Sequence, residues 1–334
     1  MERDEIIIRN AVMHILNSNN CQLEFSDTLL ELSPDINDFL RNHIYRIMDS
    51  DDTKKCTFTD DSEVLQLVEA FQEETLLMDS QMLAYKLYEI MNQNIDIPAA
   101  DLFVVTFQVA GSIYLAILKM NYKETYIHRI EKYGTEVRNT VTKQKAALPS
   151  ISAKLTEAAV INMNTLEIGL IEKKYDINGI KVNYFSNIFL QCIPQLSNKT
   201  KLNIVNKAVD QINAKYYEDD FRKAMEYKSL VYESNLDSGY INTDEIAEEL
   251  FQEPEIRQEF TEKLKKYNLN STPIQAKKAA TVKKFERQQL ITDQGIEIII
   301  PMEEYNSRPN VFITNNPDGT QEITIKNISC ISAR

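Results

Sequence analysis

The sequence predicts an α+β fold: a mixed N-terminal sheet with helices, then a mostly helical region and a C-terminal β-hairpin. Three observations carry this. Residues 102–118 hold no charge and read LFVVTFQV, AGS, IYLAIL, two β-branched and aromatic runs around a small break. Runs of that kind are buried strands, with the turn at Gly111. Leu202, Val205, Val209, Ile212 and Tyr216 recur in steps of three and four, the period of a helix with one apolar face. Asn316-Pro317-Asp318-Gly319 separates two alternating runs near the C-terminus, which is hairpin chemistry.

The remaining elements follow in order. Residues 4–32 read as two strands around the polar turn Asn17-Ser18-Asn19-Asn20. Ser33-Pro34-Asp35 opens a helix carrying Ile36, Phe39, Leu40, Ile44 and Ile47 on one face. Residues 49–61 are polar and read as a loop; a long helical segment follows, marked by Val64, Leu67, Val68 and Phe71 and then by Met82, Tyr85 and Tyr88. Beyond the buried pair, residues 119–145 read as extended or irregular, and residues 158–174 as one or two further strands. Asn178-Gly179 marks a joint, so residues 1–175 are expected as an N-terminal α+β domain and 176–334 as a helical domain with a basic segment and C-terminal strands. In the second part, residues 182–193 have helical length, and Asn242 with Glu245 three positions on is a helix start.

The chain has 334 residues and a net charge of −13, which repels nucleic acid at long range. Any contact with DNA must therefore rest on local basic surface. The four cysteines (Cys21, Cys56, Cys192, Cys330) are scattered without a CxxC pair, which fits a reducing cytosol. The acidic start Met-Glu-Arg-Asp-Glu lacks the basic region of a secretory signal. The uncharged run 102–118 would span about 25 Å as a helix, short of the ~30 Å a bilayer needs. A cytoplasmic protein with no membrane partner is expected.

Motifs for chemistry are sparse. No two of the seven glycines are closer than ten residues apart, so neither a GxxxxGK loop nor a GxGxxG turn exists. His14, His43 and His128 are far apart and no HExxH occurs, so no metal site and no cofactor are expected. Glu167, Glu172 and Lys174 could serve a metal-dependent nuclease if they shared a strand, but acidic and basic residues two apart also simply share a solvent face. Residues 242–269 invite a helix-turn-helix reading. The second helix carries Glu255, Glu259 and Glu262 and suits packing better than a phosphate-lined groove.

Positive charge gathers in three stretches. The first is 119–145, with Lys143 and Lys145 at its end and Tyr122, Tyr126 and Tyr133 interleaved. The second holds Lys199 and Lys201. The densest holds Lys277, Lys278, Lys283, Lys284 and Arg287, which would spread over a broad face if 276–289 were helical. These nine residues are the expected phosphate contacts; the plain alternative is a solvated exterior.

The order of LEFSDTLLEL, the acidic loop, the long helix and the LFVVTFQV–IYLAILKM pair resembles the bacterial nucleoid-associated protein family (NdpA-like), and KKFERQQLITDQGIEIII with VFITNNPDGTQEITIKNI resembles its ending. The resemblance spans nearly the whole chain and contains no catalytic signature. It implies a non-enzymatic, dimeric protein of the cytoplasm and nucleoid that binds double-stranded DNA, with DNA topoisomerase or other nucleoid proteins as further partners. An adaptor with little DNA contact of its own is the second expectation.

Overall fold

A computed structural model of the chain describes residues 1–276, 279–306 and 310–332. The fold is α+β, as expected, and divides into two units, Met1–Ser197 and Asn198–Arg334. In the first unit the chain runs β1 (Ile7–Asn17), β2 (Gln22–Glu24), α1 (Pro34–Met48), β3 (Lys54–Phe58), α2 (Glu63–Ala70), α3 (Leu76–Gln93), β4 (Ala100–Val109), β5 (Ser112–Asn121), β6 (Lys123–Tyr133), β7 (Glu136–Ala147), β8 (Glu157–Asn162), β9 (Ile168–Ile171), β10 (Tyr175–Ile177), β11 (Ile180–Val182) and β12 (Cys192–Pro194). Eight of these strands form one antiparallel sheet in the order β12-β3-β9-β8-β5-β4-β1-β2.

The uncharged run is the centre of that sheet. β4 and β5 pair along their whole length, from Ala100↔Asn121 to Val109↔Ser112, across a turn where Ala110 and Gly111 both have positive φ. Their side chains are apolar without alternation because both faces are covered. Leu102 and Val104 join a core with Leu83 and Leu87 of α3, while Phe103, Val105 and Phe107 join Leu40 and Ile44 of α1. Ser33 caps α1 by accepting from the Ile36 N–H.

Local patterns misled in four places. The loop expected at 49–61 contains β3, which hides because Cys56 alone of its five side chains is buried. The long helix is two helices, parted at Phe71–Thr75, where Phe71 is extended and closes α2. The helix expected at 182–193 shrinks to one π turn, Phe185–Leu190, before the chain pairs as β12 with β3. Asn178-Gly179 is the turn of the β10–β11 hairpin and lies within the first unit.

The second unit holds α4 (Asn198–Tyr216), α5 (Phe221–Ser238), β13 (Tyr240–Ile241), α6 (Thr243–Leu250), α7 (Pro254–Lys265), β14 (Ile274–Gln275), α8 (Ala279–Val282), β15 (Arg287–Ile291), β16 (Glu297–Pro301), α9 (Met302–Asn306), β17 (Val311–Asn315) and β18 (Gln321–Ile325). Leu202, Val205, Val209 and Ile212 of α4 bury against Phe251, Phe260 and Leu264, so the three-and-four spacing reads out directly as core. Asn242 caps α6 by accepting from the Asp244 N–H, and its amide reaches Glu245. The terminal hairpin β17–β18 turns at Asn316–Gly319, with Gly319 at φ +85°.

Candidate nucleic-acid interface

The helix imagined over 276–289 is not continuous. After α8 the chain makes a 3-10 turn at Lys283–Phe285 and then enters β15, whose Arg287–Ile291 pairs with Glu297–Pro301. Phe285 is buried and anchors the turn; Lys283 and Lys284, just before it, keep much of their surface exposed, though the Lys284 ammonium is partly desolvated. Arg287 is exposed at the start of the strand. Lys277 and Lys278 lie outside the described residues.

Lys284 stands in a group that the linear sequence does not show. Its ammonium is pulled below the ordinary lysine value by burial, is supported by Asp210, and is opposed by Lys228 and Lys199. Lys284 of the 3-10 turn thus lies within electrostatic reach of Lys199 on α4 and of Lys228 on α5. Lys199 belongs to the second expected stretch and Lys284 to the third, so the fold joins them. Lys228 was missed; nothing around it on α5 distinguishes it from a solvated helix residue. Lys199 and Lys201 also occupy the first turn of α4, where the helix dipole disfavours cations by about 0.3–1 kcal/mol each.

In the first unit, residues 123–147 form the β6–β7 ribbon, a two-stranded sheet separate from the main one. It carries six cations, Lys123, Arg129, Lys132, Arg138, Lys143 and Lys145, against three glutamates. A segment of charge +3 stands out in a chain of −13. Lys143 bonds to Glu124 at 2.6 Å, and Lys145 is exposed. Lys119, counted with this stretch by sequence, is withdrawn from it. It sits opposite Glu157 in the sheet, wholly buried, and burial draws its ammonium down to about 8. Tyr122 is half-buried and donates to Asp101 at 2.7 Å, whereas Tyr126 and Tyr133 are exposed.

The residues considered for a nuclease have other occupations. β9 ends at Ile171, so Glu172 and Lys174 do not share a strand. The Glu172 side chain is fully buried, accepts from Lys54 at 2.8 Å, and accepts from the Ser186 N–H at 3.1 Å at the start of the π turn. Glu167 pairs with Lys55 at 2.7 Å. Among the described residues, no three His, Cys, Asp or Glu side chains gather so as to hold a metal ion. The helix-turn-helix-like pair α6–α7 is also committed. Glu259 accepts from Lys215 and Tyr216, both at 2.6 Å, Glu253 accepts from Tyr217 at 2.9 Å, and Lys263 donates to Gln211 at 3.1 Å. These contacts bind one flank of α7 to α4 and leave Glu255, Gln258 and Glu262 outward, a poor face for a phosphate-lined groove.

Among the described residues, no helix is long and apolar enough to cross a membrane. No curated protein matches the chain. The family model described as nucleoid-associated protein YejK matches residues 12–330, from the middle of β1 to beyond β18. The match spans the central sheet, the β6–β7 ribbon and the helical unit alike, and by it the chain belongs to this family of nucleoid-associated proteins.

Proposed function

We propose that this protein binds duplex DNA, largely without regard to sequence, through local cationic surface, and that it does so as a non-catalytic homodimer in the cytoplasm and nucleoid. The reading is supported by the family match together with the placement of Lys199 and Lys228 near Lys284, a group that also includes Asp210. Lysine ammonium groups without a planar reading partner contact phosphate oxygens and release counterions, which gives affinity but little base discrimination. The net charge of −13 makes the long-range approach unfavourable, and added salt screens that repulsion, so binding should weaken with salt less steeply than the number of lysines alone implies.

The triple variant Lys199→Glu, Lys228→Glu, Lys284→Glu tests this by fluorescence titration against linear duplexes of two unrelated sequences. Affinity should fall at least about tenfold for both, and the slope of log affinity against log salt should flatten by roughly 2–3. Equal affinity for variant and parent would remove this surface from DNA contact. One observation favours a second reading, an adaptor for DNA-processing proteins such as a topoisomerase: the outward Glu255 and Glu262 of α7 suit a basic protein surface. That reading gains if a topoisomerase remains bound after nuclease treatment while the triple variant binds DNA as the parent does.

A further inference from the structure

The β6–β7 ribbon is about 37 Å long at the usual rise per residue and pairs with no other strand of the described chain. A two-stranded hairpin is marginal in water unless something packs on it. Its register decides what each face carries. Tyr126↔Lys143, His128↔Val141, Ile130↔Asn139 and Lys132↔Val137 lie on one face, because cross-strand partners point the same way. On that face Tyr126, Val141, Ile130 and Val137 form a zigzag along the ribbon axis, and they are 70%, 72%, 58% and 62% exposed. The opposite face is more polar, with Arg129, Glu131, Arg138, Thr140 and Thr142 beside two exposed apolar side chains, Ile127 and Tyr133. Scattered exposed apolar residues are ordinary, but four in a line on an otherwise unsupported ribbon mark a surface that is normally covered.

We infer that the cover is the same face of a second copy of this chain, two ribbons stacked about a two-fold axis lying across the strands. The face is complementary to itself in that arrangement. Reversal of strand direction sets Tyr126 opposite the partner's Lys132, His128 opposite the partner's Ile130, Val141 opposite the partner's Asn139, and Lys143 opposite the partner's Val137. Each Lys132 lies over a tyrosine ring, the geometry that favours a cation–π contact, and the lysine diagonal to it across the seam, Lys143, carries its charge against Glu124. Lys132 has no carboxylate partner among the described residues, whereas Lys143 already holds Glu124. Two such stripes would bury on the order of 1,000 Å² together, the size at which specific interfaces begin. A second copy is also the partner present whenever the chain is, which an element this poorly supported requires. Stacking leaves the Arg129 and Arg138 faces outward on both copies.

The inference rests on the dimeric part of the proposed reading and not on DNA contact. Sedimentation equilibrium of the full chain from about 1 to 100 µM should show a dimer. Ile130→Asp with Val141→Asp should weaken dimerisation by at least about 100-fold, and Lys132→Glu by a smaller factor. Thr140→Asp with Thr142→Asp, on the opposite face, should leave the dimer intact. Far-UV circular dichroism should show the helices and the main sheet retained in all of them, since none of these residues lies in a buried core. A dimeric parent whose Ile130/Val141 variant is equally dimeric would overturn the interface and leave the dimer standing. A parent that is monomeric throughout would overturn both.

Discussion

Glu157→Ala should destabilise the first unit by about 3–5 kcal/mol, read as a fall in the urea midpoint at unchanged slope. Glu157 and Lys119 face each other on β8 and β5, both side chains are wholly buried, and Nζ lies 4.0 Å from Oε1. The charges are met by a small polar network: Lys119 donates to the Pro98 carbonyl at 3.0 Å and to Asn121 Oδ1, and the Asn121 amide donates to Glu157 Oε2 at 2.9 Å. Burial and then Glu157 raise the nearby hydroxyls of Tyr175 and Tyr184. Removing Glu157 strands an ammonium in the sheet. The double variant Lys119→Met, Glu157→Leu should recover most of the loss, because desolvation of a buried pair nearly cancels its attraction. A single variant costing less than about 1 kcal/mol would show that Lys119 sheds its proton or reaches water at little cost.

Acid should weaken the same unit well before the bulk of its carboxylates titrate. His14 and His43 are buried on opposite faces of the sheet and both are drawn down to about 4, in each case chiefly by burial, with Arg46 adding repulsion at His43. His14 Nδ1 accepts from the Ser26 N–H at 3.1 Å, which leaves the proton on Nε2, 2.9 Å from Ser80 Oγ. His43 lies against Phe39 with ring centroids 4.7 Å apart, and neither nitrogen has a hydrogen-bond partner among the described residues. Because these values lie below the ordinary 6.5, the unfolded chain binds the two protons first. Stability is therefore intact above pH 6.5, falls as the pH drops toward 4, and loses nothing further from these groups below that. The loss should be roughly 2–3 kcal/mol per histidine. His43→Leu should remove its share, so its urea midpoint should exceed the parent's by more at pH 4.5 than at pH 7.5. An advantage that does not widen on acidification would mean that His43 is protonated in the folded state without penalty.

The two buried histidines show how unevenly function and packing are written in a chain. Their type, solubility and position in a list of three suggested nothing beyond the absence of a zinc motif, and only burial from both sides of the sheet makes them acid-labile. The same holds for Lys119, which reads as part of a basic stretch until β8 is laid beside β5. β3 escaped notice because a strand held by hydrogen bonds to β12 and β9 needs only one inward side chain. The candidate interface divides in the same way. Lys143, Lys145, Lys199 and Lys284 stand out by composition, but the partnership of Lys284 with Lys199 and Lys228 depends on three elements packed around one core.

What the order of residues determined unaided was every feature whose cause lies within a few positions: the doubly buried β4–β5 pair, the Ser33 and Asn242 caps, the apolar face of α4, the Asn316–Gly319 turn and the α+β class they add up to. Tertiary structure alone decided which strands became neighbours, which lysines met, and that residues 123–147 stand apart as a ribbon with one apolar face uncovered. The physical reason is range. Propensity and periodicity act through a single turn or strand, whereas pairing partners, burial of charge and summed electrostatic potential depend on groups that only folding brings within a few ångströms.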